Sequence, residues 1–510
     1  MISSTRVSFR PPIFSLVALA CLCFGSAQTP AALAQTARPA SAAKPHSASS
    51  AKAIADSIPA LFISDIHFDP FHDPAKAKEL ASAPVTQWRS ILAAPPSANQ
   101  VQAFTELQAS CHARGVDTPY ALLRSSLQAM RTRLPSAKFM AVSGDLVAHG
   151  FPCRFEKLLP GSAPGDYQAF VVKTLAFVMD ELSTTFPNTP IYVSLGNNDS
   201  GCGDYQLDTG SDFLAQAAMA VTAALPTAQR EAALLQFGRG GYFSIPMAEP
   251  MRNTRLIVVN DVFLSQKYTT CAGKPDPAAG ADEVAWLEHQ LQDARQAGQR
   301  VWVMGHIPPG VDPVSTVAKF RDVCGGQAPV NYLSSDKMAD LMTASSDVIH
   351  LSLFGHTHMD EMRLLEPVGA DAESAAAHRV AVKLVPSISP VDGNKPSFTI
   401  ARISQSSANL QDYEVIEASD RTGIGTSWIP EYDFARTYHQ ADFSPSTLKN
   451  LVDEFNTDHF ASQPESVAYV HNYYVGDRSP ELSPFWQEYV CAMGNSAAKS
   501  FAACVCSSTK

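Results

Sequence analysis

Leu61-Phe62-Ile63-Ser64-Asp65-Ile66-His67 is a short apolar run that ends in a carboxylate and an imidazole. Its first four, mostly apolar residues suit a short buried strand. Side chains two residues apart in an extended segment lie on the same side, so Asp65 and His67 can converge on one point beyond the strand end. The stretch therefore predicts a pair of metal ligands at the carboxyl end of a strand.

Four further motifs repeat this arrangement of an apolar run followed by metal-competent side chains. Residues 139–142 precede Ser143-Gly144-Asp145, residues 191–195 precede Gly196-Asn197-Asn198-Asp199, residues 301–304 precede Gly305-His306, and residues 348–354 precede Gly355-His356-Thr357-His358. Glycine permits a sharp turn at a strand end, so the next side chain can be presented into a site. A lone histidine is most often a hydrogen-bonded structural residue, but five ordered motifs after five predicted strands are difficult to explain in that way.

Helical patterns separate the predicted strands. Helices are expected near residues 120–130, 167–182, 212–237 and 283–297, and residues 68–120 are expected to form a long loop with one short helix near 101–111. A strand at 256–259 ends at Asn260-Asp261, which fits a turn as well as a ligand. Alternating strands and helices, with the reactive residues at the carboxyl ends of strands, predict a layered α/β domain whose site lies along one sheet edge.

The collected candidates hold two carboxylates, one amide and four imidazoles. They are Asp65, His67, Asp145, Asn197, His306, His356 and His358. This set is too large for one tetrahedral zinc ion, but it suits two metal ions that share a bridging carboxylate.

The order of these motifs resembles the calcineurin-like metallophosphoesterases, with D-x-H, G-D, G-N-H-[DE], G-H and G-H-x-H, over residues 61–360. The resemblance implies that one metal is bound by Asp65, His67 and His358, the other by Asn197, His306 and His356, and that Asp145 bridges them. It also implies two divalent metal ions, zinc first with iron or manganese as alternatives, and hydrolysis of a phosphoric ester by metal-bound hydroxide.

A closer resemblance is to acid sphingomyelinase and its phosphodiesterase-like relatives. Residues 144–149 read G-D-L-V-A-H, similar to their G-D-x-x-A-H, and residues 386–390, 394–398 and 412–414 are similar to their A-P-S, N-P-x-[FY] and D-Y-E stretches. The resemblance implies an α/β (α+β) layered sandwich of two mixed sheets flanked by helices. The catalytic domain would span 59–418, and a helical, disulfide-bearing region would span 419–510.

Two departures from the family pattern bear on the reaction. Asn198 stands where the third motif usually has histidine, and an amide can donate a hydrogen bond but supplies no titratable proton near neutral pH. Proton transfer would then fall to His149 or a metal-bound water, unless the leaving group needs little help, as for the endopolyphosphatases that G-N-N-D resembles. We expect His149 and Asn198 to contact the phosphoryl group and Asp199 to orient a neighbour.

The saposin-like domain of acid sphingomyelinase has no counterpart before Leu61, which favours a soluble or headgroup-like substrate over a bilayer lipid.

The first residues read as an export signal. Arg6 and Arg10 precede an apolar run at 13–25, and Ala32-Leu33-Ala34 offers small residues for cleavage. The run is about 13 residues, shorter than the roughly 20 of a membrane anchor, and the residues before Cys21 fit a lipoprotein poorly. We predict a signal peptide at 1–34, a flexible linker at 35–58 and a secreted or periplasmic protein without a transmembrane anchor after cleavage.

Charge and cysteine content limit the partners. The net charge is −11, and removal of Arg6 and Arg10 would leave about −13, with no block of lysine and arginine. The composition therefore disfavours a stable complex with nucleic acid and a general affinity for anionic membranes. Eight cysteines remain after Cys21 and Cys23 leave with the signal, and an even number in an oxidising compartment predicts disulfides.

The sequence thus predicts an exported phosphoesterase acting on a phosphodiester or phosphoanhydride. Its substrate would be a phosphate-containing small molecule, a nucleotide, polyphosphate or a lipid headgroup. The alternatives are an endopolyphosphatase, a sphingomyelin phosphodiesterase, or a non-catalytic metal or phosphate binder in which Asn198 marks lost activity.

Overall fold

The structure, a computed structural model, describes residues 57–508 except 164, 252, 368, 370, 371, 478, 480 and 481. The predicted signal peptide (1–34), Cys21 and Cys23 lie outside the described residues. So does the predicted linker (35–58) except for Ser57 and Ile58, which already belong to the first strand.

The strands of the described residues form two six-stranded sheets. In chain order they are β1 (Ser57–Ile63), β2 (Met140–Val142), β3 (Ile191–Val193), β4 (Phe243–Pro246), β5 (Thr254–Val258), β6 (Arg300–Met304), β7 (Ile349–Phe354), β8 (Glu361–Leu365), β9 (Val380–Leu384), β10 (Ser397–Ser404), β11 (Leu410–Ala418) and β12 (Trp428–Asp433). The first sheet has the order β12-β11-β10-β1-β2-β3 and the second β4-β5-β6-β7-β9-β8. Each combines parallel and antiparallel pairs, so the predicted sandwich of two mixed sheets is confirmed.

The two sheets pack face to face through aromatic side chains. Trp302 of β6 contacts Phe62 of β1 with ring centroids 6.0 Å apart and Phe139 at 5.6 Å, both edge to face. The indole Nε1 donates to the Ala408 carbonyl at 2.8 Å, so the buried ring leaves no polar atom unpaired. This apolar core fixes the position of each strand end that carries a motif.

Helices cover the outer faces of the sheets. They are α1 (Ala77–Ser82), α2 (Val85–Ala93), α3 (Gln100–Ser110), α4 (Tyr120–Arg133), α5 (Phe151–Leu158), α6 (Asp166–Thr185), α7 (Asp212–Val221), α8 (Thr227–Gly240), α9 (Pro277–Gln296), α10 (Pro313–Ala318), α11 (Lys337–Ala344), α12 (Ala372–Ala377), α13 (Phe434–Thr437), α14 (Pro445–Thr457), α15 (Pro464–Asn472), α16 (Trp486–Gly494) and α17 (Ala498–Ser508).

The segment 68–120 is more helical than its sequence predicts. The expected short helix is present as α3, but α1 and α2 occupy part of the expected loop. Both are too short to be stable alone. They are held by burial of Leu80 and Trp88, and the indole Nε1 of Trp88 donates to the Leu80 carbonyl at 3.0 Å. Tertiary contacts, not local periodicity, create these helices.

The carboxyl ends of five parallel strands meet at one edge of the sandwich. In the first sheet β1, β2 and β3 are neighbours, and in the second β6 and β7 are neighbours. Hydrogen bonds join the two sheets at this edge, from Ser143 Oγ to the Phe354 carbonyl (3.3 Å) and from Ser194 Oγ to the Gly305 carbonyl (3.2 Å). All five sequence motifs therefore follow strands that end at the same place.

The carboxyl-terminal part completes the first sheet and then becomes helical. β12 pairs with β11, so the sheet continues past residue 418, and helices α13 to α17 follow. The predicted disulfides are present, and every cysteine in the described range is paired: Cys111–Cys153, Cys202–Cys271, Cys324–Cys506 and Cys491–Cys504. Val311, Cys491, Ala492, Phe501 and Val505 form a small second core beside the last two bonds.

Across the described ranges, no helix has both the length and the hydropathy needed to cross a membrane.

The disulfides differ in the length of chain that they close, 182 residues for Cys324–Cys506 and 13 for Cys491–Cys504. Chain entropy predicts that loss of the first costs about 5 kcal/mol of unfolding free energy and loss of the second about 3 kcal/mol. Urea unfolding of the two double serine variants measures the difference. An equal loss would mean that packing around the bonds, not loop closure, dominates.

Candidate metal centre

Five of the residues predicted to bind metal hold the left-handed backbone conformation. The φ angles are 48° for Asp65, 44° for His67, 53° for Asp145, 74° for His356 and 66° for His358. Such a conformation costs a non-glycine residue about 1–3 kcal/mol and persists only where the surrounding structure imposes it. Here each turn follows a strand whose position the core already fixes, and the turn directs the side chain into the edge between the sheets.

One group of donor atoms combines Asp65, His67 and His358. The Nε2 atoms of His67 and His358 are 3.1 Å apart, and Asp65 Oδ1 lies 3.7 Å from the first and 3.4 Å from the second. Asp145 Oδ2 is 3.5 Å from His67 Nε2. All four side chains are almost fully buried.

A second group combines Asn197, His306 and His356. Asn197 Oδ1 lies 3.2 Å from His306 Nε2 and 3.0 Å from His356 Nδ1. Asp145 Oδ2 is 3.2 Å from His306 Nε2, so this one carboxylate oxygen faces both groups. The structure thus brings all seven predicted ligand residues together.

The remaining nitrogen of each imidazole is held from outside the centre. His67 Nδ1 contacts the Val147 carbonyl at 2.9 Å, and His306 Nδ1 contacts the Ser143 carbonyl at 2.7 Å. The other two contacts are His358 Nδ1 to Asp392 Oδ2 at 2.9 Å and His356 Nε2 to Tyr205 Oη at 3.3 Å. Such partners fix the ring orientation and leave the inward nitrogen free to bind a metal. Asn197 is oriented similarly, since its Nδ2 donates to Asp204 at 2.7 Å.

The donor set fits divalent cations. Asp65 Oδ1 is buried and accepts no hydrogen bond from any described residue; it faces imidazole nitrogens instead. A buried carboxylate oxygen without a partner is costly unless a cation compensates it. Imidazole, carboxylate and amide donors together suit zinc, iron or manganese.

The electrostatics of the centre favour positive charge. Burial lowers the pKa of His306, but the carboxylates of Asp145, Asp65 and Asp261 together outweigh burial and raise that pKa to about 10. Burial also opposes the effect of Asp145 on His67, whose pKa rises to about 9. The Asp145 carboxyl is the counterpart: burial raises its pKa, yet His306 and His67 hold it well below the usual value. The negative charge that raises the pKa of these two imidazoles would also attract metal cations.

Comparison with known proteins agrees with this geometry. The sequence model of the calcineurin-like phosphoesterases matches residues 58–360, which run from β1 past the last predicted ligand. The chain belongs to the calcineurin-like phosphoesterase family. It is a metal-dependent hydrolase of phosphoric esters, as the sequence predicts.

Similar proteins narrow the place of this calcineurin-like phosphoesterase within the family. Acid sphingomyelinase-like phosphodiesterase 3b of Mus musculus is 25% identical over 462 residues, which cover 87% of this chain and 89% of the relative. Cyclic GMP-AMP phosphodiesterase SMPDL3A of Mus musculus is 24% identical over 401 residues, covering 76% and 82%. A solved dimetal phosphatase from Danio rerio matches 74% of this chain and 100% of its own at 11% identity, with a TM-score of 0.37. The predicted resemblance to the acid sphingomyelinase-like phosphodiesterases is confirmed.

The three residues predicted to act on substrate lie beside the predicted metal ligands of this phosphoesterase. His149 stacks on His67 with ring centroids 3.8 Å apart. The amide of Asn198 donates to Asp145 Oδ2, and its backbone N–H donates to Asp145 Oδ1, both at 2.8 Å. Asp199 accepts the backbone N–H groups of Leu146, Val147 and Gly196. Asn198 and Asp199 therefore fix the Asp145 carboxylate and the turn that carries it.

Sequence reasoning missed several residues that support the centre. Asp117 Oδ1 contacts His149 Nδ1 at 2.8 Å, and its Oδ2 contacts the buried Arg154 at 3.3 Å. Asp392 holds His358, and Asp204 holds Asn197. Asp117 and Asp204 follow no predicted strand and carry no motif signal. Asp392 lies just after the Pro386–Pro390 stretch, and its position next to that motif is the one sequence feature that points to it.

Two motif glycines are required by close approach. A Cβ at Gly196 would lie 2.1 Å from Asp145 Oδ1, and a Cβ at Gly355 would lie 1.9 Å from Ser64 Oγ. Ser64 Oγ donates to Asp65 Oδ2 at 2.5 Å. Any larger residue at either position would displace a carboxylate of the centre.

A cavity of about 530 Å³ opens onto the candidate metal centre. Asp145, His149, Asn197, His356 and His358 contribute to its wall. Arg114 and Lys267 add one positive charge each, and this volume is typical of a small-molecule site.

The strained backbone of His67 predicts an unusual order of stabilities. His67→Gly and His67→Ala remove the same imidazole, but only glycine adopts φ of 44° without penalty. In the presence of a chelator we expect the glycine variant to be more stable by about 1 kcal/mol, measured by urea unfolding.

The same pair of substitutions at His289 provides the control. This residue is exposed on helix α9, where glycine should be less stable than alanine by about 1 kcal/mol. If alanine is the more stable replacement at both positions, the turn at His67 stores no strain.

Proposed function

We propose that this phosphoesterase is an exported phosphodiesterase that binds two divalent cations, with zinc as the first choice and iron or manganese as alternatives. The observation that carries the proposal is the position of Asp145 Oδ2, which lies within 3.5 Å of an imidazole from each donor group. In the proposed assignment, Asp65, His67 and His358 hold one cation, Asn197, His306 and His356 hold the other, and Asp145 bridges them.

Two further observations support the proposal. The similar proteins from Mus musculus bear phosphodiesterase names and match over most of their length. Four disulfides are typical of a protein that folds in an oxidising compartment, which supports a secreted or periplasmic location. The substrate class would then be a phosphodiester of a small molecule, a nucleotide or a lipid headgroup.

Two cations held by these residues would supply a water activated near neutral pH and positive charge to offset that of a transferring phosphoryl group. The side chains at the wall of the cavity would position that group. Arg114 Nη2 contacts His149 Nε2 at 3.0 Å, and Arg114 Nε contacts Asp392 Oδ1 at 3.3 Å. His149 and Asp392 thus hold a guanidinium beside the centre, where it can donate to a phosphoryl oxygen. We also propose that His149 and Asn198 contact the phosphoryl group directly.

Asp145→Asn tests the function. The substitution keeps the shape of the side chain but removes the charge shared by both groups, so bound metal should fall. We expect kcat/KM for bis(p-nitrophenyl) phosphate to fall by more than the roughly 100-fold that loss of an outer partner costs.

Asp282→Asn, on the exposed face of helix α9, is the matched control and should keep wild-type turnover and metal content. Wild-type protein that is loaded with metal, binds phosphate and turns over no ester or anhydride would contradict the proposal and favour a non-catalytic binder.

Hydrolysis of a phosphoanhydride is the second candidate. It is favoured by Asn198, which supplies no titratable proton and donates one amide hydrogen to Asp145 Oδ2, because an anhydride leaving group needs little protonation. We expect kcat/KM to be higher for the aryl diester than for polyphosphate or nucleoside triphosphates in one preparation. The opposite order would make the chain an endopolyphosphatase-like enzyme.

A further inference from the structure

A second cavity of about 690 Å³ lies beside the metal centre. Arg114 and Asp392 line both cavities, so the two cavities adjoin at these side chains. Asp392 Oδ2 contacts His358 Nδ1 at 2.9 Å, and Asp392 Oδ1 contacts Arg114 Nε at 3.3 Å. One side chain therefore separates the second cavity from a predicted metal ligand.

The lining of the second cavity is largely apolar. It includes Val116, Pro119, Leu122, Pro390, Val391 and Ile424. Val116 and Ile424 expose 42% and 44% of their surface, so large apolar side chains face solvent within a concave site. Apolar surface of this kind, next to a few fixed polar groups, is typical of a ligand site.

The charges around the second cavity already have partners. Asp117 contacts His149 and Arg154, and Asp392 contacts His358 and Arg114. Arg421, at the mouth, contacts Asp477 at 3.1 Å. Each ionised side chain in the lining thus has a partner of opposite charge or an imidazole partner. A second phosphate would have to compete with these pairs, whereas an uncharged group would not.

Three loops, 114–119, 390–393 and 421–424, contribute to the walls of the second cavity, and the first two pack tightly. A Cβ at Gly115 would lie 2.2 Å from the Val391 carbonyl oxygen, so the loops meet backbone to backbone. Leu122, from helix α4, is fully buried beneath them. The cavity is therefore formed before any ligand binds, which reduces the entropy cost of binding.

We propose that the second cavity binds an uncharged, apolar ester group of the substrate, of the size of an aromatic ring or a short alkyl chain. The phosphoryl group would lie at the metal centre, and Arg114 would lie between the two. This inference rests on the proposed function and names its substrate class: a phosphodiester with one apolar alcohol, in preference to a chain of phosphates.

Binding of phosphonates tests the proposal without turnover. Methylphosphonate, phenylphosphonate and 2-naphthylphosphonate carry the same phosphoryl anion and one apolar group of increasing size. Calorimetry on the metal-loaded full chain should show affinity rising roughly tenfold or more from methyl to naphthyl. A series without this rise would overturn the proposal.

Two variants that fill the cavity locate the effect. Val116→Trp and Ile424→Trp, from different loops, should each remove most of the gain from methyl to naphthyl. Val467→Trp, at a similarly exposed valine outside both cavities, should keep it. A gain that survives in both filled variants would place the apolar group elsewhere and overturn the proposal.

Two further measurements identify the source of the apolar group and test the proposed function independently. Sphingomyelin vesicles that displace 2-naphthylphosphonate from wild-type protein, but not from the filled variants, would make a lipid chain the source. Failure of vesicles to compete would make it a soluble alcohol. Turnover of the aryl diester is assayed separately. If no turnover is found, the proposed function fails, but the phosphonate affinities still test whether the second cavity binds an apolar group.

Discussion

The carboxylate of Asp145 is the interaction on which the rest of the centre depends. Its Oδ2 lies between His67, which follows a strand of the first sheet, and His306, which follows a strand of the second. Asn198 fixes both carboxylate oxygens through its amide and its backbone N–H. The carboxylate can take this position because Gly196 has no side chain to occupy it. The packing of two sheets and the geometry of three loops thus converge on one side chain.

The fold stabilises this arrangement against considerable opposing free energy. Five site residues hold left-handed backbone conformations, and the carboxylates and imidazoles are buried. Backbone hydrogen bonds at the strand ends resist relaxation, including Asp65 N to the Gly144 carbonyl at 3.1 Å and His67 N to the Asp145 carbonyl at 2.9 Å. Strain at the site and regularity in the sheets are complementary, because regular strands are rigid enough to impose irregular turns.

The sequence predicts the residues of the centre that directly follow strands. An apolar run and a glycine indicate where a strand ends and which side chain comes next. His306 and His356 could be placed in this way although they lie far along the chain from Asp65. Asp117, Asp204 and Arg114 could not, since they belong to loops whose paths are set by long-range packing and the Cys111–Cys153 and Cys202–Cys271 bonds. The helices α1 and α2 escaped prediction for the same reason, as Leu80 and Trp88 act only once the core exists.

The bond between Cys324 and Cys506 connects one wall of the cavity at the metal centre to the end of the described chain. Cys324 follows helix α10, and Asp312, Val314 and Ser315 near the start of that helix line the metal cavity. Val311 packs in the small core with Cys491, Phe501 and Val505, which are among the last residues of the described chain to be synthesised. Packing in the small core and the bond to Cys506 therefore connect this wall of the cavity to the carboxyl-terminal helices. In the exported protein that we propose, this wall would gain its covalent connection only after the carboxyl-terminal helices have been synthesised and their thiols oxidised, which would tie its maturation to a compartment where disulfides form.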